Sequence, residues 1–162
     1  MAFYVAKTPG LPAGGDNGTV RLDNDNEPQP DLFLLLAPHL GGKARVDDDD
    51  YIAGSPARIA EIAASSTSID LHHKKHAYAR NGVGECLVWR VEDSAVDHFL
   101  LADRRFELQS PVEGRLQAKL FPGLWIDVAA LLKSDLPTLL SAVDRGVATP
   151  EHADFVYRLR AG

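Results

Sequence analysis

A chain of 162 residues with 45% hydrophobic and 25% charged side chains has the makings of one globular domain, and is neither disordered nor fibrous. Seventeen Lys and Arg against 23 Asp and Glu leave a net charge of -6, the wrong sign for holding nucleic acid by overall charge. A single cysteine excludes an internal disulfide framework and a cysteine-rich zinc site. The longest apolar run, Leu32 to Ala37, is far short of the roughly 20 residues of a membrane span. The first ten residues lack the basic-then-apolar pattern of a secretory leader, so the expected location is cytoplasmic.

The opening is rich in Gly, Pro, Asn and Asp, so residues 1–16 are expected to be weakly structured, with a short strand over Thr19 to Leu22. Asp31 to Leu36, bounded by Pro30 and Pro38, has the length of a buried strand. Gly41-Gly42 and the run Asp47 to Asp50 mark a solvated loop, with a hairpin through Tyr51 and Ile52. Ala57 to Ala63 is a second core strand, and the hydroxyls of Ser65 to Ser68 suit the cap of a helix over Ile69 to Arg80. On that helix Leu71, Lys74 and Tyr78 share one face, and Asn81-Gly82 is a stop signal. Strands follow over 85–91, 95–101 and 105–108, with a fourth over Arg115 to Phe121. Residues 122–162 are expected to be a helical part: Trp125 to Lys133, Leu136 to Arg145, and a last helix announced by Thr149-Pro150-Glu151. The expected class is α/β, a mixed sheet with helices, in a single domain over 1–162.

Three charged residues sit in otherwise apolar elements: Asp31, Glu61 and Lys74. Such groups are rarely buried unless paired or bound to a metal. Two carboxylates on adjacent strands could hold Mg²⁺ or Mn²⁺, with Lys74 orienting the attacking water and stabilising charge developing at a phosphodiester. A purely structural reading stands beside this one: Asp31 as a turn cap, Glu61 and Lys74 as an internal ion pair, Lys74 snorkelling to water. His72 and His76 have the spacing of zinc ligands, but no Glu lies between them and two lysines repel a cation, so they read as a solvated face. Asp47 to Asp50 lacks calcium-loop spacing. Trp89, Phe99, Phe121 and Trp125 read as core, and Cys86 as an inert core thiol.

The segments Gln29-Pro30-Asp31-Leu32, Ile59 to Thr67 around Glu61, Asp70-Leu71-His72-His73-Lys74 with Tyr78, and Asn81-Gly82-Val83-Gly84-Glu85 together resemble the Uma-type restriction endonuclease family of the PD-(D/E)XK nuclease superfamily. Phe121-Pro122-Gly123-Leu124-Trp125 and Thr149-Pro150-Glu151-His152-Ala153 are similar to one of its subgroups, so the likeness spans about residues 17 to 160. The resemblance implies a restriction-endonuclease-like sandwich: a central mixed sheet flanked by helices, plus C-terminal helices. It also implies divalent-metal-dependent cleavage of DNA, Asp31 and Glu61 as Mg²⁺ or Mn²⁺ ligands, Lys74 as catalytic lysine, Glu85 and Tyr78 as accessory residues, and a homodimer. Two features depart from the pattern. Ala63 stands where the superfamily motif has lysine, and only about 30 residues precede Asp31, so a shortened N-terminus is expected. Both point to the alternative of a catalytically silent binding or assembly module on the nuclease fold.

Overall fold

The computed structural model describes residues 1–12, 14–23, 26–65 and 69–161. In chain order the elements are α1 (Ala2–Ala6), β1 (Gly14–Asp16), β2 (Val20–Arg21), β3 (Leu32–Leu34), a 3₁₀ turn (Pro38–Leu40), β4 (Arg45–Val46), β5 (Ile52–Ala53), β6 (Arg58–Ala63), α2 (Ile69–Asn81), β7 (Glu85–Arg90), β8 (Ala95–Ala102), β9 (Arg105–Gln109), β10 (Arg115–Gln117), β11 (Trp125–Asp127), α3 (Val128–Leu132), α4 (Leu136–Val147) and α5 (Pro150–Arg160). Six strands form the central sheet in the order β1-β3-β6-β7-β8-β9. The β6–β7 pair is parallel and joined through α2, and the other pairs are antiparallel, so the sheet is mixed as expected.

Both faces of this sheet are covered, which is why β6 and β7 are apolar over consecutive residues instead of alternating. Toward α2, Phe33, Ile59, Cys86 and Val88 pack with Leu71, Tyr78 and Val83. On the other face, Leu34 packs with Tyr4, Phe121, Leu124, Val143, Phe155 and Leu159 from α1 and the C-terminal part. The helix α2 ends where Gly82 takes φ +83, the left-handed conformation its lack of a Cβ permits. At the start of the C-terminal part, a Cβ on Gly146 of α4 would lie 2.2 Å from the carbonyl oxygen of Gly123, so only glycine allows that loop and helix to touch.

Several sequence expectations are corrected. Residues 1–16 hold α1 and the edge strand β1; α1 is fastened by Tyr4, whose hydroxyl donates to the Pro122 carbonyl at 2.9 Å, and the following Thr8 pairs with His152 at 3.1 Å. The expected strand over Arg115 to Phe121 shrinks to β10, which pairs with β11 outside the central sheet, and β11 occupies the start of the expected helix Trp125 to Lys133. The hairpin through Tyr51 and Ile52 is present as β4–β5, its turn tied by Asp47, whose carboxylate accepts from the backbone N–H groups of Asp49 and Tyr51. Ser66, Thr67 and Ser68, expected as a cap, lie outside the described residues.

Candidate active site

Three elements converge at one end of the sheet. The register Leu32↔Ala60 and Phe33↔Ile59, continued by one residue, sets Asp31 opposite Glu61 on the face toward α2. Asp31 is anchored there, its Oδ2 accepting from the backbone N–H of Ile62 at 2.6 Å. On α2, Lys74 lies one turn from Leu71 and Tyr78, both buried in the core, so that core contact aims it at β6. The Lys74 Nζ donates to Glu61 Oε2 at 3.0 Å, and the Tyr78 hydroxyl donates to Glu61 Oε1 at 2.5 Å. Asp31, Glu61, Lys74 and Tyr78 are thus brought together, as the sequence pattern suggests.

The electrostatics of this cluster are unbalanced. Glu61 is 5% exposed, and burial is the largest influence on its carboxyl, raising the pKa. Hydrogen bonds from Tyr78 and Lys74 oppose the rise, the neighbouring Asp31 carboxylate adds to it, and the net direction is upward. Lys74 keeps a quarter of its side chain exposed, so it can face solvent and Glu61 at once.

The donor set fits a hard cation. Asp31 and Glu61 offer carboxylate oxygens from adjacent strands, and no group of three or more His, Cys, Asp and Glu side chains suited to a metal is found among the described residues. Two carboxylates suit Mg²⁺, which retains several waters and takes substrate oxygens, better than an ion that needs a full protein cage. His72, His73 and His76 lie on the exposed side of α2, as expected of a solvated face.

Glu85 is not part of this cluster. Register pairs it with Arg58, so it points to the opposite face of the sheet from Glu61. There it is fully buried between Arg58 and His98, and its Oε1 also accepts from the backbone N–H groups of Lys119 and Leu120. Burial pushes its pKa up, but the His98 hydrogen bond, the Arg58 guanidinium and the Leu120 N–H together hold it below the ordinary value. Arg58 and His98 escaped the sequence reading; the signal was an arginine opening an otherwise apolar strand. Cys86 is buried, and burial pushes its thiol up to about 12, in keeping with an inert core residue.

Residues 3–129 match the family model described as "Uma2: Putative restriction endonuclease". Among solved structures, the crystal structure of a protein described as "a putative nuclease belonging to DUF820", from Anabaena variabilis, superposes with a TM-score of 0.52 at 12% identity, covering 88% of this chain and 76% of that one. At that identity the likeness concerns the fold alone, and it agrees with the mixed-sheet architecture. No curated protein matches the chain.

Proposed function

The chain belongs to the Uma2 family, whose description reads "Putative restriction endonuclease", and from that premise we propose that it is a divalent-metal-dependent DNA endonuclease in which Asp31 and Glu61 hold Mg²⁺ or Mn²⁺ and Lys74 is the catalytic lysine. The observation that carries this reading is the Lys74–Glu61 contact of 3.0 Å beside Asp31, at a buried carboxylate whose pKa stays raised despite that partner. A bound cation would supply Lewis acidity at the phosphodiester and lower the pKa of a bound water.

The chain's own residues do the rest. Asp31 is held in position by the Ile62 N–H, and Glu61 by Tyr78, so neither carboxylate has to be ordered when substrate arrives. In hydrolysis a water oxygen bonds to phosphorus, the P–O ester bond breaks, the water's proton is lost to solvent and the leaving oxygen gains one. The Lys74 ammonium, partly exposed beside Glu61, orients that water and faces the negative charge that builds on the phosphoryl oxygens. Because the lysine reaches the site from α2, Ala63 on β6 is no obstacle to the chemistry. A homodimer, which would offer one such site to each strand of a duplex, belongs to the same reading.

Incubation of supercoiled plasmid with Mn²⁺ or Mg²⁺ tests it. Nicking by the wild type that vanishes with EDTA, in Glu61→Ala and in Lys74→Ala is the expected result; no cleavage with either metal over a range of salt overturns it. The second reading, a catalytically silent nuclease-fold module, is favoured by one observation: both Glu61 oxygens already have donors from within the chain. A Mn²⁺-induced rise in melting temperature that disappears in Glu61→Ala would count against that reading.

A further inference from the structure

The helix that carries Lys74 has a second cationic side that the hydrolytic cluster does not use. Consecutive helical residues project about 100° apart, and while Lys74 turns to β6, Lys75 turns to β8 and lies 3.6 Å above the centre of the Phe99 ring. With His72, His76 and Ala79 it lines one wall of a concavity of about 250 Å³, whose other wall is Arg104, Arg105 and Phe106 from the β8–β9 turn. Arg104 and Arg105 are exposed.

Two features mark this concavity. Lys7, Arg21, Arg58, Lys74, Arg80, Arg90 and Arg115 all reach a carboxylate within 4 Å. Lys75, Arg104 and Arg105 make no such pair among the described residues; cations elsewhere, such as Lys43, Lys119 and Arg145, share that property, but here three of them line a single hollow although the net charge is -6. Unpaired cations crowded into one hollow repel each other, and an incoming anion relieves that repulsion. The turn itself is shaped to display them. Asp103 and Arg104 both have positive φ, +46 and +62, where a two-residue hairpin favours Asn-Gly. An arginine in this place costs backbone strain and puts a guanidinium at the hairpin tip.

The position suits a long polyanion more than a lone ion. From Glu61 on β6, three strand spacings to β9 are about 14 Å across the sheet, and four residues along β8 from Asp97, opposite Val88, to Leu101 are about 13 Å. Arg104 and Arg105 therefore lie about 20 Å from the cluster, about six base-pair steps of duplex, whereas Lys75, stacked on Phe99 two strands from β6, lies nearer, at about 12 Å. Resting on the nuclease reading above, we propose that the concavity formed by His72, Lys75, His76, Arg104 and Arg105 is a backbone phosphate subsite that holds duplex DNA about four to six steps from the scissile bond. Phe106 completes the lining, and the stack on Phe99 holds the Lys75 ammonium over it.

The test reads binding without chemistry. A short labelled DNA duplex is titrated with protein in EDTA over a series of salt concentrations, for wild type, Arg104→Ala/Arg105→Ala, Lys75→Gln, Glu61→Ala and the control Lys133→Ala/Arg145→Ala. The control removes the same charge from α4 and the residue after α3, on the other side of the sheet. The expected result is weaker binding by both subsite variants, with the slope of log K against log salt smaller by about 1.8 in the arginine pair and about 0.9 in Lys75→Gln. Glu61→Ala, which removes a negative charge from beside the scissile phosphate, should bind no more weakly than wild type. A wild type that does not bind the duplex at low salt overturns the subsite, as do subsite variants that match the control. The two readings fail separately: a wild type that binds through this hollow but never nicks plasmid removes the nuclease reading alone. One that nicks, with both subsite variants unchanged, removes the subsite alone.

Discussion

Glu61 and Glu85 are the same residue on neighbouring parallel strands, both out of solvent, one on each face of the sheet. Their surroundings differ in one respect, the supply of positive charge and hydrogen-bond donors. Glu85 meets Arg58, His98 and two backbone N–H groups, which outweigh burial and hold its pKa down. Glu61 meets one partly exposed lysine and one phenol, with Asp31 against it, and its pKa is raised. A carboxylate with all its compensation built in serves the fold, whereas one left short of positive charge has room for a cation from outside. The distinction lies in the partners, since both glutamates look alike as isolated letters.

The sharpest way to break this comparison is to delete each carboxylate. Glu85→Ala leaves Arg58 buried without its counter-ion, and such a loss costs about 3–5 kcal/mol. Glu61→Ala leaves a lysine that can turn to water, so urea unfolding should place it much nearer wild type while nicking is lost. Equal destabilisation by the two would show that the sites are not different in kind.

The pH dependence of stability separates them by sign. Glu61 has a raised folded pKa, so its contribution is complete below the ordinary value of 4.5 and is lost as pH rises through the folded pKa. Glu61→Gln should therefore gain melting temperature on wild type at neutral pH and lose that advantage near pH 4. For Glu85 the folded pKa is lowered, so its contribution is present above 4.5 and disappears as pH falls through the folded value. In acid, Glu85→Gln should show a flatter decline than wild type.

The smallest effect is expected from Tyr78→Phe, which removes one hydrogen bond at about 1 kcal/mol. Without that donor the Glu61 pKa rises further, and the acid limb of the nicking rate should move to higher pH. An unshifted limb would mean that Tyr78 fills the core without tuning the carboxylate.

Most of the site was legible because its members interrupt regular patterns: a carboxylate at the mouth of one strand, another inside the next, and a lysine on the apolar side of α2. Glu85 broke its pattern in the same way and was placed wrongly, because in a strand covered on both faces alternation no longer says which face a residue takes. The N-terminal elements escaped for another reason. The helix α1 has five residues, too few to hold by local preference, and it forms because Tyr4 is buried against residues far along the chain. The misplaced strand over 115–121 ends early for a similar cause, since β10 takes as its partner β11, a segment whose mixed apolar pattern also suits a helix.

The Tyr4–Pro122 and Thr8–His152 bonds join residues 118 and 144 positions apart. During synthesis at about 5–20 residues per second, the partners of the first turn are not made until about 6 to 29 s after that turn itself. Residues 1–8 thus wait for partners made far later, and until then the sheet face they help to cover, Leu34 included, stays open to solvent and to other nascent chains.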